Sequence, residues 1–283
     1  MRVCRFASGT EQHIGIVDGA SVLPIRDAGE MVDLIERGIG EAVTGSAVPL
    51  ASVRLLAPIV PKRNVFAVGW NYAEHFAEGK DFRPASAPQE IPAHPALFSK
   101  NPFAIVGPDA PVRHPAPISD QLDYEVELAV VIGRAGRDIP EREALAHVFG
   151  YTIANDVSVR DVQRTWHGGQ WFKGKNFDTH LPLGPWIVTA DEIPDPQTLR
   201  LTTRVNGVTK QDSNTKHMVF PVARIIAELS AGLTVHPGDV IITGTPEGVG
   251  MGRKPPEWLK PGDVLELEIE RIGVLRNPVG GGS

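Results

Sequence analysis

The sequence has one cysteine, Cys4, in 283 residues. A single thiol forms no internal disulfide, and no Cys/His spacing for structural zinc is present. Long apolar runs are also missing. None approaches the ~18 residues of a membrane span, and the opening MRVCRFASG lacks the apolar core of a signal peptide. The expectation is a reducing, cytoplasmic setting with no membrane partner. Positive charge is not in surplus either: Lys plus Arg number 28 against 34 for Asp plus Glu, a formal net charge of −6. Nucleic-acid binding needs clustered cations that displace counterions, so no nucleic-acid partner is expected.

Gly and Pro are abundant, at 29 and 25 residues. Together they exceed the usual ~12% by a wide margin. Disorder does not follow, because 42% of residues are apolar and fall in short runs throughout. The surplus serves turns, and the fold class expected is a mixed, β-dominated α+β protein. Residues 1–57 read as a small leading unit, with short strands at Arg2–Phe6, His13–Val17 and Ser21–Pro24 and a helix over Met31–Ala42. The Pro-punctuated segment 57–64 reads as a linker to a larger unit, 58–279, and GGGS at 280–283 reads as a flexible tail. In the larger unit VFAVGW, LAVVIG, YTIAND, PWIVTA, DVIITG and DVLELEIE are strand-length runs. Asn206–Gly207 between TTRV and VTKQ is a hairpin signal, and an amphipathic helix is expected over Val219–Ala231. Pro-Gly-Asp-Val occurs at 237–240 and 261–264, which shared turn chemistry explains as well as duplication does.

Two phosphate-site look-alikes are set aside. Gly169–Asn176 nearly spells a phosphate-binding loop, but Asn176 stands in place of the hydroxyl that holds Mg²⁺, and no strand leads in. Gly248-Val-Gly-Met-Gly252 misses the dinucleotide spacing.

Carboxylates carry a stronger signal. In DYEVELAVVIG, Glu125 and Glu127 share one strand face roughly 7 Å apart. Glu266, Glu268 and Glu270 repeat the alternation, and spacing alone does not separate a cation site from a solvated face. The first strand continues into a wholly apolar run, which places its acids near an interior, where a cation offsets their charge. Asp156 follows another apolar strand and supplies a third oxygen donor, a set that suits Mg²⁺ or Mn²⁺ rather than zinc. His75 and Glu78 lie three apart on a helical turn, either as an oriented base or as an exposed surface pair. Residues 80–95 lack periodicity and are either a loop that closes over substrate or a surface excursion. Lys173 and Lys175 are candidates for holding negative charge on a substrate, or are simply solvated.

In order along the chain, GWNYAEH (69–75), DYEVELAVVIG (123–133), ANDVSVRDVQ (154–163), KGKNFD (173–178) and TGTPEGVG (243–250) resemble the fumarylacetoacetate hydrolase family. The resemblance spans about residues 60–279, and the leading segment fits the family's small N-terminal α/β domain. It implies a β-roll catalytic domain, a homodimer, and Mg²⁺ or Mn²⁺ held by Glu125, Glu127 and Asp156. It also implies catalytic roles for His75, Glu78 and Lys175, and places Tyr72, Arg160, Gln163 and Thr245 near a small anionic 2-oxo acid substrate. Trp70 stands where some members carry a basic residue. The activity expected is hydrolysis of a carbon–carbon bond in an acylpyruvate-type 2,4-dioxo acid through a metal-stabilised enolate. Decarboxylation of an oxaloacetate-like acid, or isomerisation or hydration of an unsaturated 2-oxo dioate, would use the same enolate. A non-catalytic small-acid-binding protein on the same scaffold is the reading from another class.

Overall fold

The computed structural model describes residues 1–40, 44–83 and 87–281. The chain opens with an antiparallel meander, β1 (Arg2–Ser8), β2 (Glu11–Asp18) and β3 (Ser21–Pro24), followed by α1 (Met31–Arg37). Helix α1 is shorter than its apolar pattern predicts. Gly38 ends it at φ 79°, and Ala42 lies outside the described residues. The segment 57–64 is irregular, as its prolines require, but it is not a free linker. Ala57 and Ile59 are buried, and Arg63 pairs with Asp239.

Next come β4 (Val65–Gly69), α2 (Ala73–Glu78), β5 (Ala96–Lys100), β6 (Val126–Ile132) and β7 (Val148–Asn155). Two short helices, α3 (Arg160–Thr165) and α4 (Phe172–Lys175), lead to β8 (Leu181–Thr189). The hairpin β9 (Arg200–Val205) and β10 (Val208–Asn214) turns at Asn206 and Gly207, both at positive φ, as their sequence predicts. Helix α5 (Val222–Ser230), then β11 (Val240–Ile242), β12 (Val264–Ile269) and β13 (Gly273–Gly280) complete the chain. The two Pro-Gly-Asp-Val turns launch strands β11 and β12, which belong to different sheets. Turn chemistry, not duplication, accounts for them.

The large sheet runs β3-β2-β1-β8-β7-β6-β11-β4-β5, and the small one runs β10-β9-β12-β13 with Val112–Arg113 at its edge. This is the strand-dominated α+β architecture expected. Every residue of β6 is buried. Leu128, Val130 and Ile132 face one core, with β12 and α5, while Ala129 and Val131 face another, shared with Val3, Met31 and Ile187. Burial on both faces explains the continuous apolar run, since neither pleat face meets water. By contrast, Glu268 and Glu270 are exposed and Glu266 is half-buried, so that alternation is a solvated face paired to Arg204. Among the described residues no helix is long and apolar enough to cross a membrane.

Cys4 lies within the small core of β1 to β3, and burial pushes its thiol up to about 12. The thiolate is the reactive form. The native protein is therefore expected to leave Ellman's reagent colourless at pH 8 and to release one equivalent when unfolded. A full equivalent released at once from native protein would contradict this placement.

Candidate active site

The antiparallel register Val126↔Asn155 between β6 and β7 brings three acids to one sheet end. Glu127 is the second residue of β6, whereas Glu125 lies just before the strand. It is held in line as its N–H donates to Asn155 Oδ1 (3.0 Å) and its carbonyl accepts from Asp156 N (3.0 Å). Carboxylate oxygens of Glu125, Glu127 and Asp156 all lie within 4.8 Å of one another, and all three residues are buried.

Cations surround two of the three acids. Helix α4 delivers Lys175, whose Nζ donates to Glu125 Oε2 and Asp156 Oδ2, each at 2.7 Å. Arg160, at the start of α3, reaches Asp123 Oδ2 and Glu125 Oε1, also at 2.7 Å. Lys100 is fully buried, pairs with Asp156 Oδ1 at 2.7 Å, and donates to the carbonyls of Val157 and His180. Burial pushes Glu125 up, but Lys175, Arg160 and His75 together outweigh it and hold the carboxyl at about 2. Glu127 differs. Its Oε2 accepts from Gly244 N (2.7 Å), while burial and then the charges of Asp156 and Glu125 push its carboxyl well above the ordinary range. A buried acid destabilised by neighbouring acids is the condition a divalent cation relieves, and an all-carboxylate donor set suits a hard one. The residues present fit Mg²⁺ or Mn²⁺.

His75 and Glu78 share the short helix α2. Nδ1 of His75 lies 2.7 Å from Glu78 Oε1, and Glu78 Oε2 accepts from Gly248 N at 2.9 Å. Their side chains are only 11% and 16% exposed, which rules out a solvated surface pair. Glu78 is clamped further by Gly252, where an added Cβ would overlap Oε2. Gly252→Ala is therefore expected to displace Glu78 and lower kcat about 10-fold or more, with the melting temperature nearly unchanged. A crystal structure of the variant with the His75–Glu78 bond intact would refute this.

The acids and His75 open onto one cavity of about 320 Å³, at the small end for a ligand site. Arg160, Gln163, Thr245 and Lys175 line it. Gln163 Oε1 accepts from Arg160 Nη1, and Thr245 Oγ1 accepts from Gln211 Nε2. Tyr72 is wholly buried, its hydroxyl beside the charges of Glu127 and Glu247, and it lies behind the cavity wall rather than on it. Its position just before α2 turns the ring into the core. Lys173 is exposed over the Phe177 ring and takes no part. The sequence reading missed Lys100, Arg83, Arg164 and Trp171. Of the stretch 80–95, Phe82, Arg83 and Ala87 line the cavity, and residues 84–86 lie outside the described ones.

A family model described as fumarylacetoacetate hydrolase, C-terminal, matches residues 64–280. The chain belongs to the fumarylacetoacetate hydrolase family. Residues 1–58 match a second model, described as Rv2993c-like, N-terminal. Among curated relatives, the mitochondrial oxaloacetate tautomerase fahd2 of Xenopus laevis is 47% identical over 229 residues, which cover 81% of this chain and 69% of the relative. Among solved structures, the fumarylacetoacetate hydrolase of Exiguobacterium antarcticum is 41% identical with a TM-score of 0.84, over 99% of both chains. Maleylpyruvate hydrolase from Sphingobium sp. SYK-6, solved with manganese(II) and pyruvate, is 31% identical with a TM-score of 0.81, over 100% of both chains. The fumarylacetoacetate hydrolase family thus includes tautomerases and hydrolases similar to this enzyme.

Proposed function

We propose that this family member interconverts the keto and enol forms of a short 2-oxo acid, with a divalent cation at Glu125, Glu127 and Asp156. The observation that carries the reading is the His75–Glu78 pair opening onto the same cavity as the three acids. With Nδ1 engaged by the Glu78 carboxylate, Nε2 is the nitrogen left to accept a proton. It takes a proton from the carbon beside the 2-oxo group and delivers it to the 2-oxo oxygen, breaking one C–H bond and forming one O–H bond, and the reverse direction retraces the same path. A bound cation supplies Lewis acidity that stabilises negative charge on the 2-oxo oxygen. Lys175, fixed between Glu125 and Asp156, keeps a positive charge beside that oxygen, and Arg160 with Gln163 orients the acid. The relatedness to oxaloacetate tautomerases supports oxaloacetate as the first substrate to test.

The similarity to maleylpyruvate hydrolase favours a second reading, in which the same enolate forms as a carbon–carbon bond of an acylpyruvate breaks. There His75 would deprotonate a water instead. The two are separated by following enol oxaloacetate in the ultraviolet and pyruvate release from acetylpyruvate, each with Mg²⁺ or Mn²⁺. The expected result is accelerated oxaloacetate interconversion that returns to the buffer rate on adding EDTA. Pyruvate release alone would select the second reading, and buffer rates in both assays would reject both.

A further inference from the structure

The cavity wall carries more positive charge than the acids beneath it need. Among the described lining residues, the acids are Glu125, Glu127 and Asp156, whereas the permanent cations are Arg83, Arg160, Arg164 and Lys175. Arg160 and Lys175 are matched to these acids. Arg83 and Arg164 are not: among the described residues neither forms an ion pair with a carboxylate, and Asp161 acts on Arg164 only from beyond ion-pair distance. Arg83 donates to the carbonyl of Phe76 and lies over the rings of Phe76 and Trp70. Arg164 donates through Nε to Arg160 O (3.1 Å) and through a terminal nitrogen to Gln121 Oε1 (3.2 Å), over the ring of Phe82. Both are half-buried, and desolvation lowers the proton affinity of both. Neutral carbonyls and ring faces aim these groups without neutralising them. A guanidinium held in this way is preorganised for an anion that arrives from outside, and its planar fork suits a carboxylate.

We infer that Arg83 and Arg164 form a distal carboxylate subsite, so that the enzyme takes dianionic 2-oxo dicarboxylic acids in preference to acylpyruvates with a neutral tail. The inference rests on the reading of the triad and Arg160 as the end that holds the 2-oxo acid. Arg164 follows Arg160 by four residues on α3, a rise of about 6 Å along the same face. That step is on the scale separating the two carboxylates of a four- or five-carbon diacid. Arg83 approaches from the segment after α2, which also carries His75. Arg83 thus lies only eight residues after His75, so the distal subsite and the base belong to one short stretch of chain. The aromatic faces of Trp70, Phe98 and Trp171 would accept a neutral tail equally well. The guanidinium groups decide for an anion, because a neutral tail leaves both half-buried without an ion pair.

Oxaloacetate and acetylpyruvate make a near-isosteric test pair, differing by a carboxylate oxygen against a methyl group. Isothermal titration of the His75→Ala protein in Mg²⁺ measures binding of each in the absence of proton transfer by His75. Oxaloacetate is expected to bind at least 10-fold more tightly than acetylpyruvate. Arg83→Gln and Arg164→Gln, each added to His75→Ala, should shrink that ratio at least 5-fold, and Arg164→Lys should restore part of it. Acetylpyruvate affinity in the same variant serves as the reference for a folded cavity. A ratio near one in the His75→Ala protein, or a ratio unmoved by either substitution, overturns the subsite. If the ratio behaves as expected while the wild type turns over neither acid, the subsite stands and the reaction reading falls.

Discussion

Glu127→Gln is expected to raise the melting temperature of the metal-free protein and to abolish its stabilisation by Mn²⁺. The two effects have opposite signs and come from one substitution. In the metal-free protein Glu127 is the acid without a cation of its own, since Lys175 bridges Glu125 and Asp156, and Gly244 N is its hydrogen-bond donor. An amide of the same shape removes a poorly compensated buried charge, a gain of roughly 1–3 kcal/mol and so several degrees in melting temperature. It also removes an anionic ligand. The wild type should gain about 2.7 kcal/mol when Mn²⁺ is present at 100 times its Kd, and the variant almost none. Turnover should fall by ~10³-fold, the scale of several kcal/mol of lost Lewis-acid stabilisation.

The pH dependence has a definite sign. Folded Glu127 holds its proton to higher pH than the unfolded chain does, so metal-free stability falls as pH rises from the ordinary carboxylate value toward the raised one. Glu127→Gln should flatten that slope. Glu125→Gln should instead lower metal-free stability, because Lys175 and Arg160 lose the carboxylate that balances them. Thermal melts in EDTA and in Mn²⁺ at several pH values test all of this. A Glu127→Gln protein with a lower metal-free melting temperature and an intact Mn²⁺ response would sink the metal assignment.

His75→Ala should cost 10²- to 10⁴-fold in kcat, the range for removal of a positioned base. It should leave Mn²⁺ affinity within a few-fold, because the imidazole lies outside the group of three acids. Glu78→Gln should cost less than His75→Ala. Gln keeps a hydrogen-bonding oxygen opposite Nδ1, so the ring stays oriented, but loses the negative charge beside the base. A kcat within 3-fold of wild type in His75→Ala would remove the dyad from the mechanism.

The parts of this site that could be read from sequence are those fixed by strand periodicity. Glu125 and Glu127 stand two apart before an apolar run, and Asp156 ends another, so each could be placed at a strand end without knowing the pairing. His75 and Glu78 were legible because three residues make a helical turn. Lys100 was not legible. It ends the short strand β5, and its burial arises from the carbonyls of Val157 and His180, 57 and 80 residues away. Arg83 and Arg164 were hidden for the same reason, since nothing local marks a guanidinium as lacking an acid partner. The burial of Tyr72 was not legible either, because its motif neighbours Trp70 and His75 do face the cavity and a ring's direction depends on packing. The overlong first helix failed at Gly38, whose φ of 79° ends α1 while the sequence beyond it stays partly apolar.

The leading strands have a bearing on how the chain can be cut or recombined. Strand β1 pairs with β8 through Arg2↔Val188 and Val3↔Ile187, and Val3, Ile14 and Met31 share a core with Ala129, Val131 and Val240. Deleting residues 1–57 would open one edge of β8 and bare an apolar face, a template for aggregation. A chimera with the leading segment of another protein would face the same demand. The graft would have to match a buried surface residue by residue, so the front of this chain is better regarded as a fitted cover than as an exchangeable module.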